Sequence, residues 1–335
     1  MLYLDVNQYS DEVMNPFRKI FKNKAMDEIK IGVLGTSISN GENVPKGADY
    51  VSVLDREWTE RLGTEGKPVF INYSRSGTFS SNGIFSAAEI CKNPPDIIFV
   101  DYSVNDMGAY YLHDTYEGIV HRFLEAGCMV CNLIFTNNQG HATRGSVSAI
   151  SKHYNVPCID LGQVVLDNIE NGEFVWDDYA LDYVHPNPEG HKFLADNLLK
   201  FFEFCLMEPD DSLTYKIPEN PAFTGMFKNM TVVENMEYNN GYSYTGEFDA
   251  ILAEITQRTD LNKCLLDLYI DGTYRTTLSL YNDFSWDNRV SEYIECEEFG
   301  VHKIEVKPSK GAIIKDKELK ILNLKFGLGI FEDEE

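Results

Sequence analysis

No run of about 18 apolar residues occurs anywhere in the chain, so no membrane-spanning helix is expected. Residues 1–20 lack a basic stretch leading into an apolar one, so no secretory leader is read there and a cytoplasmic protein is expected. Positive charge is scarce. With 29 Lys and Arg against 53 Asp and Glu, the formal charge is −24, which repels phosphate backbones and anionic headgroups. Nucleic acid and membrane are therefore not expected as partners, whereas a neutral ligand is compatible. Cysteine is sparse and odd in number: Cys91, Cys128, Cys131, Cys158, Cys205, Cys264 and Cys296 are scattered, several within apolar runs. That pattern suits reduced, buried thiols and argues against a disulfide framework. Cys128-Met-Val-Cys131 has redox or zinc spacing. It opens an apolar strand, however, in which alternate residues face opposite ways, and it is read as structural. There is no internal repeat, and low complexity is confined to the acidic end, Glu332-Asp-Glu-Glu335, read as disordered.

What is present is a strict alternation. Apolar runs at Ile29–Leu34, Pro68–Tyr73, Asp96–Tyr102, Cys128–Phe135 and Val156–Leu161 read as strands. Helical spacing over Asp49–Leu62, Phe85–Cys91, Tyr116–Ala126, Ser146–Tyr154 and Pro188–Cys205 fills the intervals and the end. Such a βαβα order predicts an α/β fold: a three-layer α/β/α sandwich on a five-stranded parallel sheet, flavodoxin-like, whose ligands bind beyond the carboxyl ends of the strands. From Pro209 the texture changes to prolines and turn formers, followed by short alternating runs such as Cys264–Ile270, Thr276–Tyr281, Val301–Val306 and Leu319–Phe326, with Asp271-Gly272 as a turn. An antiparallel, jelly-roll-like β-sandwich is expected there. The expected organisation is a lead-in over 1–27 packing on a catalytic domain over 28–207, a linker over 208–220, a β-sandwich over 221–330 and an acidic tail over 331–335.

Polar residues follow the strand ends. Gly35-Thr-Ser37-Ile follows the first strand, Asn72-Tyr-Ser-Arg-Ser-Gly77-Thr the second and Ser103-Val-Asn105-Asp106 the third, while Asp182-Tyr-Val-His185-Pro-Asn precedes the last helix. A serine hydroxyl is a poor nucleophile at neutral pH unless a base takes its proton and a third group holds that base in one tautomer. Ser37, His185 and Asp182 can fill those roles, and the Asp-x-x-His spacing lets one turn deliver both partners of the imidazole. The developing oxyanion needs donors aimed in advance, and three are available: the backbone N–H of Ser37, the backbone N–H of Gly77 and the side-chain amide of Asn105. Competing signatures fail. No lysine of a phosphate-binding loop follows Gly35-Thr-Ser37, and no Gly-x-Ser-x-Gly elbow occurs.

With those four blocks the chain resembles the SGNH, or GDSL-like, hydrolase family over roughly residues 28–205. The resemblance implies that Ser37 is the nucleophile, Gly77 and Asn105 oxyanion donors, and His185 with Asp182 the base pair, with no metal or organic cofactor. Two departures stand out: the first block reads Gly-Thr-Ser-Ile instead of Gly-Asp-Ser-Leu, and Ser103 takes the third block's usual glycine. Asn15-Pro16-Phe17, Trp176-Asp-Asp-Tyr179 and the appended β-domain look most like the bacterial branch that removes acyl groups from carbohydrates. An acetylated oligosaccharide is the substrate this implies.

Beyond the blocks, His141 in the loop after the fourth strand and Trp286 in Asp283-Phe-Ser-Trp-Asp are candidate substrate contacts. Arg75 is read as solvated or bracing its loop, His191 as helping to start the last helix, and His113, His121, His153 and His302 as ordinary packed or surface histidines. Three alternatives stay open: a lipase or thioesterase on non-sugar esters, a carbohydrate-binding protein without turnover, and an acyltransferase whose acyl-enzyme is intercepted by a sugar hydroxyl. The β-domain is open to two roles, covering the catalytic mouth or forming the surface of a homo-oligomer.

Overall fold

The apolar runs of the first half pair side by side in the computed structural model, which describes residues 1–108, 111–234, 241–256, 265–279, 289–310 and 323–330. Strands β1 (Lys30–Gly35), β2 (Val69–Asn72), β3 (Ile97–Asp101), β4 (Met129–Ile134) and β5 (Cys158–Asp160) form one sheet in the order β2-β1-β3-β4-β5, with every pairing parallel. This is the flavodoxin-like order. Its switch point lies between β1 and β3, where successive connections leave toward opposite faces and a crevice opens at the carboxyl ends.

The helices are α1 (Asp11–Asn23), α2 (Ser37–Asn40), α3 (Tyr50–Leu62), α4 (Ser80–Ile90), α5 (Leu112–Glu125), α6 (Arg144–His153), α7 (Leu161–Glu170), α8 (Trp176–Tyr179) and α9 (Pro188–Cys205). Strand side chains alternate between the two faces. Ile31, Val33, Ile97, Phe99 and Leu133 meet Trp58, Val165, Leu198, Phe201 and Phe202 from α3, α7 and α9 in one buried cluster. The opposite face is covered by α4, α5 and α6, which supply buried Ile84, Ile119, Phe123, Val147 and Ile150. Each such side chain contributes about 1.5–3 kcal/mol on burial, so both sheet faces are strongly held. Cys128 and Cys131 are buried and free, and the other described cysteines are also free.

The lead-in is more ordered than its polarity suggests. Ser10 caps α1 by accepting from the Val13 N–H, Asp11 and Glu12 occupy the favourable first turn, and Met14 and Phe17 turn inward. Asn15 donates to the carbonyls of Asp210 and Leu213 while its own oxygen accepts from the Asp210 N–H, so one amide holds the returning chain.

The chain divides into two compact units, Met1–Ala222 and Phe223–Glu335. In the second, β6 (Thr231–Val233), β7 (Tyr242–Thr256), β8 (Leu265–Ile270), β9 (Thr273–Ser279), β10 (Arg289–Pro308) and β11 (Asn323–Gly329) form an antiparallel sheet in the order β6-β11-β7-β10-β8-β9. The long β7–β10 pair changes register between Glu295 and Gly300, with β11 on one stretch of β7 and β8 on the far stretch of β10. Side chains from both halves, including Ile251, Ile294, Leu268, Ile304, Leu278 and Phe326, share one core, so the sheet wraps on itself as a β-sandwich. Asp271 and Gly272, both at positive φ, make the tight hairpin between β8 and β9.

Candidate active site

The site begins where β1 stops. A Cβ on Gly35 would lie 2.8 Å from the Asp101 carbonyl oxygen and 2.9 Å from its side chain, so only glycine lets β1 run this close to the end of β3. Thr36 stays extended, Ser37 opens the short helix α2, and Gly41 closes it at positive φ. The wholly buried Asp101 fastens this turn on both sides of Ser37. Its Oδ2 accepts from the Thr36 hydroxyl at 3.0 Å, the Ser39 hydroxyl at 2.8 Å and, at longer range, the Thr36 N–H. Burial pushes the Asp101 carboxyl up to about 6, against the lowering pull of those hydrogen bonds.

His185 comes from a hairpin ahead of α9. Ala180 and Pro186 form an antiparallel bridge, and the Leu181 N–H donates to the His185 carbonyl, so Asp182 to His185 make a closed turn. Asp182 Oδ1 accepts the backbone N–H groups of Val184 and His185, each at 2.8 Å, leaving Oδ2 to accept from His185 Nδ1 at 2.7 Å. Burial would raise the Asp182 carboxyl, but the N–H and ring of His185 and the N–H of Val184 together hold it below the usual carboxylate range. An ionised carboxylate can only accept, so Nδ1 carries the proton and Nε2 is the accepting nitrogen. Nε2 stands 2.9 Å from Ser37 Oγ. Trp176 adds an outer brace by donating its indole N–H to the Asp182 carbonyl. Asn187 accepts from the Gly190 N–H to cap α9, and Pro188 occupies the first helical turn, which fixes where the hairpin ends.

The other side of Ser37 is built by loops after β2 and β3. The Tyr73 N–H bonds to the Val33 carbonyl and the Arg75 N–H to the Gly35 carbonyl, which extends the β1–β2 ladder and lays residues 75–77 beside the Ser37 turn. Gly77 has φ +68°, a conformation that glycine adopts without strain. Asn105 donates through Nδ2 to the Thr78 carbonyl at 2.9 Å, linking the two loops, and that nitrogen carries a second hydrogen. Ser103, in the place of a glycine, has a use: its hydroxyl accepts from the Phe135 N–H and its carbonyl from the Thr143 N–H, tying this loop to the one after β4.

Ser37, His185 and Asp182 are thus brought into one hydrogen-bonded chain, with the loops of Gly77 and Asn105 alongside. His141 lies exposed in the loop after β4, and the Asn138 N–H donates to the Tyr183 carbonyl, so that loop is joined to the hairpin. Trp286 falls outside the described residues. The His191 N–H donates to the Asn187 carbonyl at the start of α9. Asn187 supplies the cap, while His191 is buried, stacks on Tyr50 and accepts the Tyr50 N–H through Nδ1; burial lowers its pKa to about 4, which keeps that nitrogen free to accept. Two features escaped sequence reasoning: the Asp101 fastening and the Trp176 brace. The one signal for the first was an acidic residue ending an otherwise apolar strand, at the edge where sites form.

Comparisons with known proteins agree with this architecture. Residues 33–193 match the GDSL-like Lipase/Acylhydrolase family. A two-domain esterase, CEX, active on acetylated mannans, superposes with a TM-score of 0.73 at 18% identity, covering 96% of each chain. A structure of a two-domain esterase, CEX, co-crystallised with mannopentaose superposes with a TM-score of 0.75 at 19% identity, again over 96% of each chain. No curated protein matches the chain.

Proposed function

We propose that this chain, whose residues 33–193 match the GDSL-like Lipase/Acylhydrolase family, is a serine esterase that removes acetyl groups from oligosaccharides. The observation that carries the reading is the run from Ser37 Oγ to His185 Nε2 at 2.9 Å and from His185 Nδ1 to Asp182 at 2.7 Å. The choice of an acetylated sugar rests on the shared two-domain layout with an esterase active on acetylated mannans. His185 Nε2 takes the Ser37 proton as Oγ bonds to the acetyl carbonyl carbon, and the carbonyl electrons move onto oxygen. The N–H groups of Ser37 and Gly77 and the Asn105 amide receive that oxyanion. Collapse breaks the bond to the sugar oxygen, which leaves with the proton from His185. Water then gives a proton to the same nitrogen as it attacks the acyl-enzyme, acetate departs, and the proton returns to Ser37 Oγ. Asp182 keeps the imidazole in the required tautomer throughout and stabilises it when charged.

Replacing the nucleophile tests this directly. Ser37→Ala should retain the wild-type unfolding transition while p-nitrophenyl acetate turnover falls roughly 10⁴-fold or more. Wild-type turnover in that variant would end the assignment, and acetate release from acetylated manno-oligosaccharides by the native protein tests the sugar half.

A further inference from the structure

The loops bearing the reacting groups also bear exposed apolar side chains. Phe79 lies just beyond Gly77, Met107 just beyond Asn105, and Leu181 and Tyr183 on either side of Asp182. Single exposed apolar residues are ordinary, but a set of them on converging loops marks a surface that receives something. Tyr183 is the most open of the four at 63% exposure, yet its backbone is fixed: its carbonyl accepts from the Asn138 N–H, and the next two N–H groups are both held by Asp182 Oδ1. Its neighbour Val184 is buried, so the hairpin is anchored on one side and presents the tyrosine ring on the other.

The chemistry divides the mouth into two halves. The leaving oxygen must come within hydrogen-bond reach of His185 Nε2, because that nitrogen returns its proton. The alcohol half of the ester therefore lies over the 182–185 hairpin, while the carbonyl oxygen points toward Gly77 and Asn105. Two residues span at most about 7 Å of backbone, so Tyr183 and His185 are near neighbours on the same hairpin. We propose that Tyr183 is the platform on which the sugar ring of the leaving alcohol stacks, making it a determinant of alcohol specificity. The proposal rests on the ester-hydrolysis reading above. The C–H face of a pyranose is apolar and lies flat on an aromatic ring while its hydroxyls stay in water; an aromatic held rigid also loses little freedom on binding.

The test compares substrates that share an acetyl group and differ in alcohol. For wild type, Tyr183→Ala and Tyr183→Phe, kcat/KM is measured on methyl tetra-O-acetyl-mannopyranoside and on ethyl acetate, with acid release followed by pH-stat. The ratio of sugar ester to ethyl ester should fall about tenfold in Tyr183→Ala, mainly through KM for the sugar ester, and recover in Tyr183→Phe, which keeps the ring. An unchanged ratio in Tyr183→Ala would overturn the proposal, as would an equal loss on both esters, which would make the residue a support for the hairpin. A changed preference between ethyl acetate and ethyl butyrate with the sugar ratio intact would also overturn it, by placing Tyr183 on the acyl side. If the wild type hydrolyses ethyl acetate and releases nothing from the sugar ester, the oligosaccharide reading falls together with this one. Turnover of the sugar ester with an unaltered ratio removes this inference alone.

Discussion

Asp101 governs where Ser37 sits, although it touches neither Ser37 nor His185 in the hydrogen bonds described. One of its oxygens holds the residue before Ser37 and the residue two beyond it; the other is buried without a hydrogen-bond partner. An asparagine there would either turn an N–H₂ group onto donors or point it into a pocket with no acceptor. Asp101→Asn should therefore cost about 1–3 kcal/mol of stability. It should also lower kcat roughly tenfold with KM little changed, since a shifted nucleophile harms the transition state more than ground-state binding. Denaturant melts and steady-state kinetics on one preparation check both; a stability loss with kcat intact would reduce Asp101 to a packing role. Here the sequence was only partly legible. Ser37, His185 and Asp182 were candidates in the sequence because serine-esterase chemistry needs those residue types, whereas Asp101 acts through distances that only the fold creates.

Among the elements, the parallel strands and α9 were the most legible. Apolar runs bounded by polar strand ends located β1 to β5 within a residue or two, and Asn187-Pro188 marked the start of α9. Pro16 hid α1, because a proline removes an N–H that a helix interior normally uses, and only the capping and packing around it reveal the helix. α7 was hidden for another reason: Asp160 ends β5 and caps α7 at once, so strand and helix share one apolar run. β7 escaped because Ala250, Ile251, Leu252 and Ala253 are all buried, which erases the alternation that betrays a half-exposed strand. The β8–β9 turn carries a pH dependence of its own. His302 Nδ1 faces Asp271 Oδ2 at 2.7 Å and Nε2 faces the Glu298 carbonyl at 2.9 Å, two acceptors that a doubly protonated ring satisfies. Donating to Asp271 raises the His302 pKa, and accepting from His302 lowers that of Asp271. A raised histidine stabilises fully below its unfolded value of about 6.5 and loses that contribution as pH rises through the folded value; the depressed aspartate loses its share as pH falls through its own. The pair is thus strongest between the two. Thermal melts of the full chain at pH 6 and pH 9 should show a larger loss for wild type than for His302→Gln, and parallel curves for the two proteins would refute this.

For the molecule as a whole, each unit has its own hydrophobic core. The two-part organisation was legible because the pattern of the chain changes from alternating helices and strands to short runs and turns. The wrapping of one sheet on itself was not, since it depends on a register change inside a long strand pair. The Asp182–His185 turn has a further consequence for how the protein matures. His185 and Asp182 are three positions apart and can find each other by local chain motion, whereas His185 and Ser37 are 148 positions apart. Closing so long a loop is slow compared with forming a turn, and here it awaits the docking of α9 against α3. On dilution from denaturant, reactivity of Ser37 toward a fluorophosphonate should therefore lag behind the recovery of helical circular dichroism. Labelling that kept pace with the dichroism would mean that the long closure comes early, and any lag makes the serine a clock for the last step of assembly.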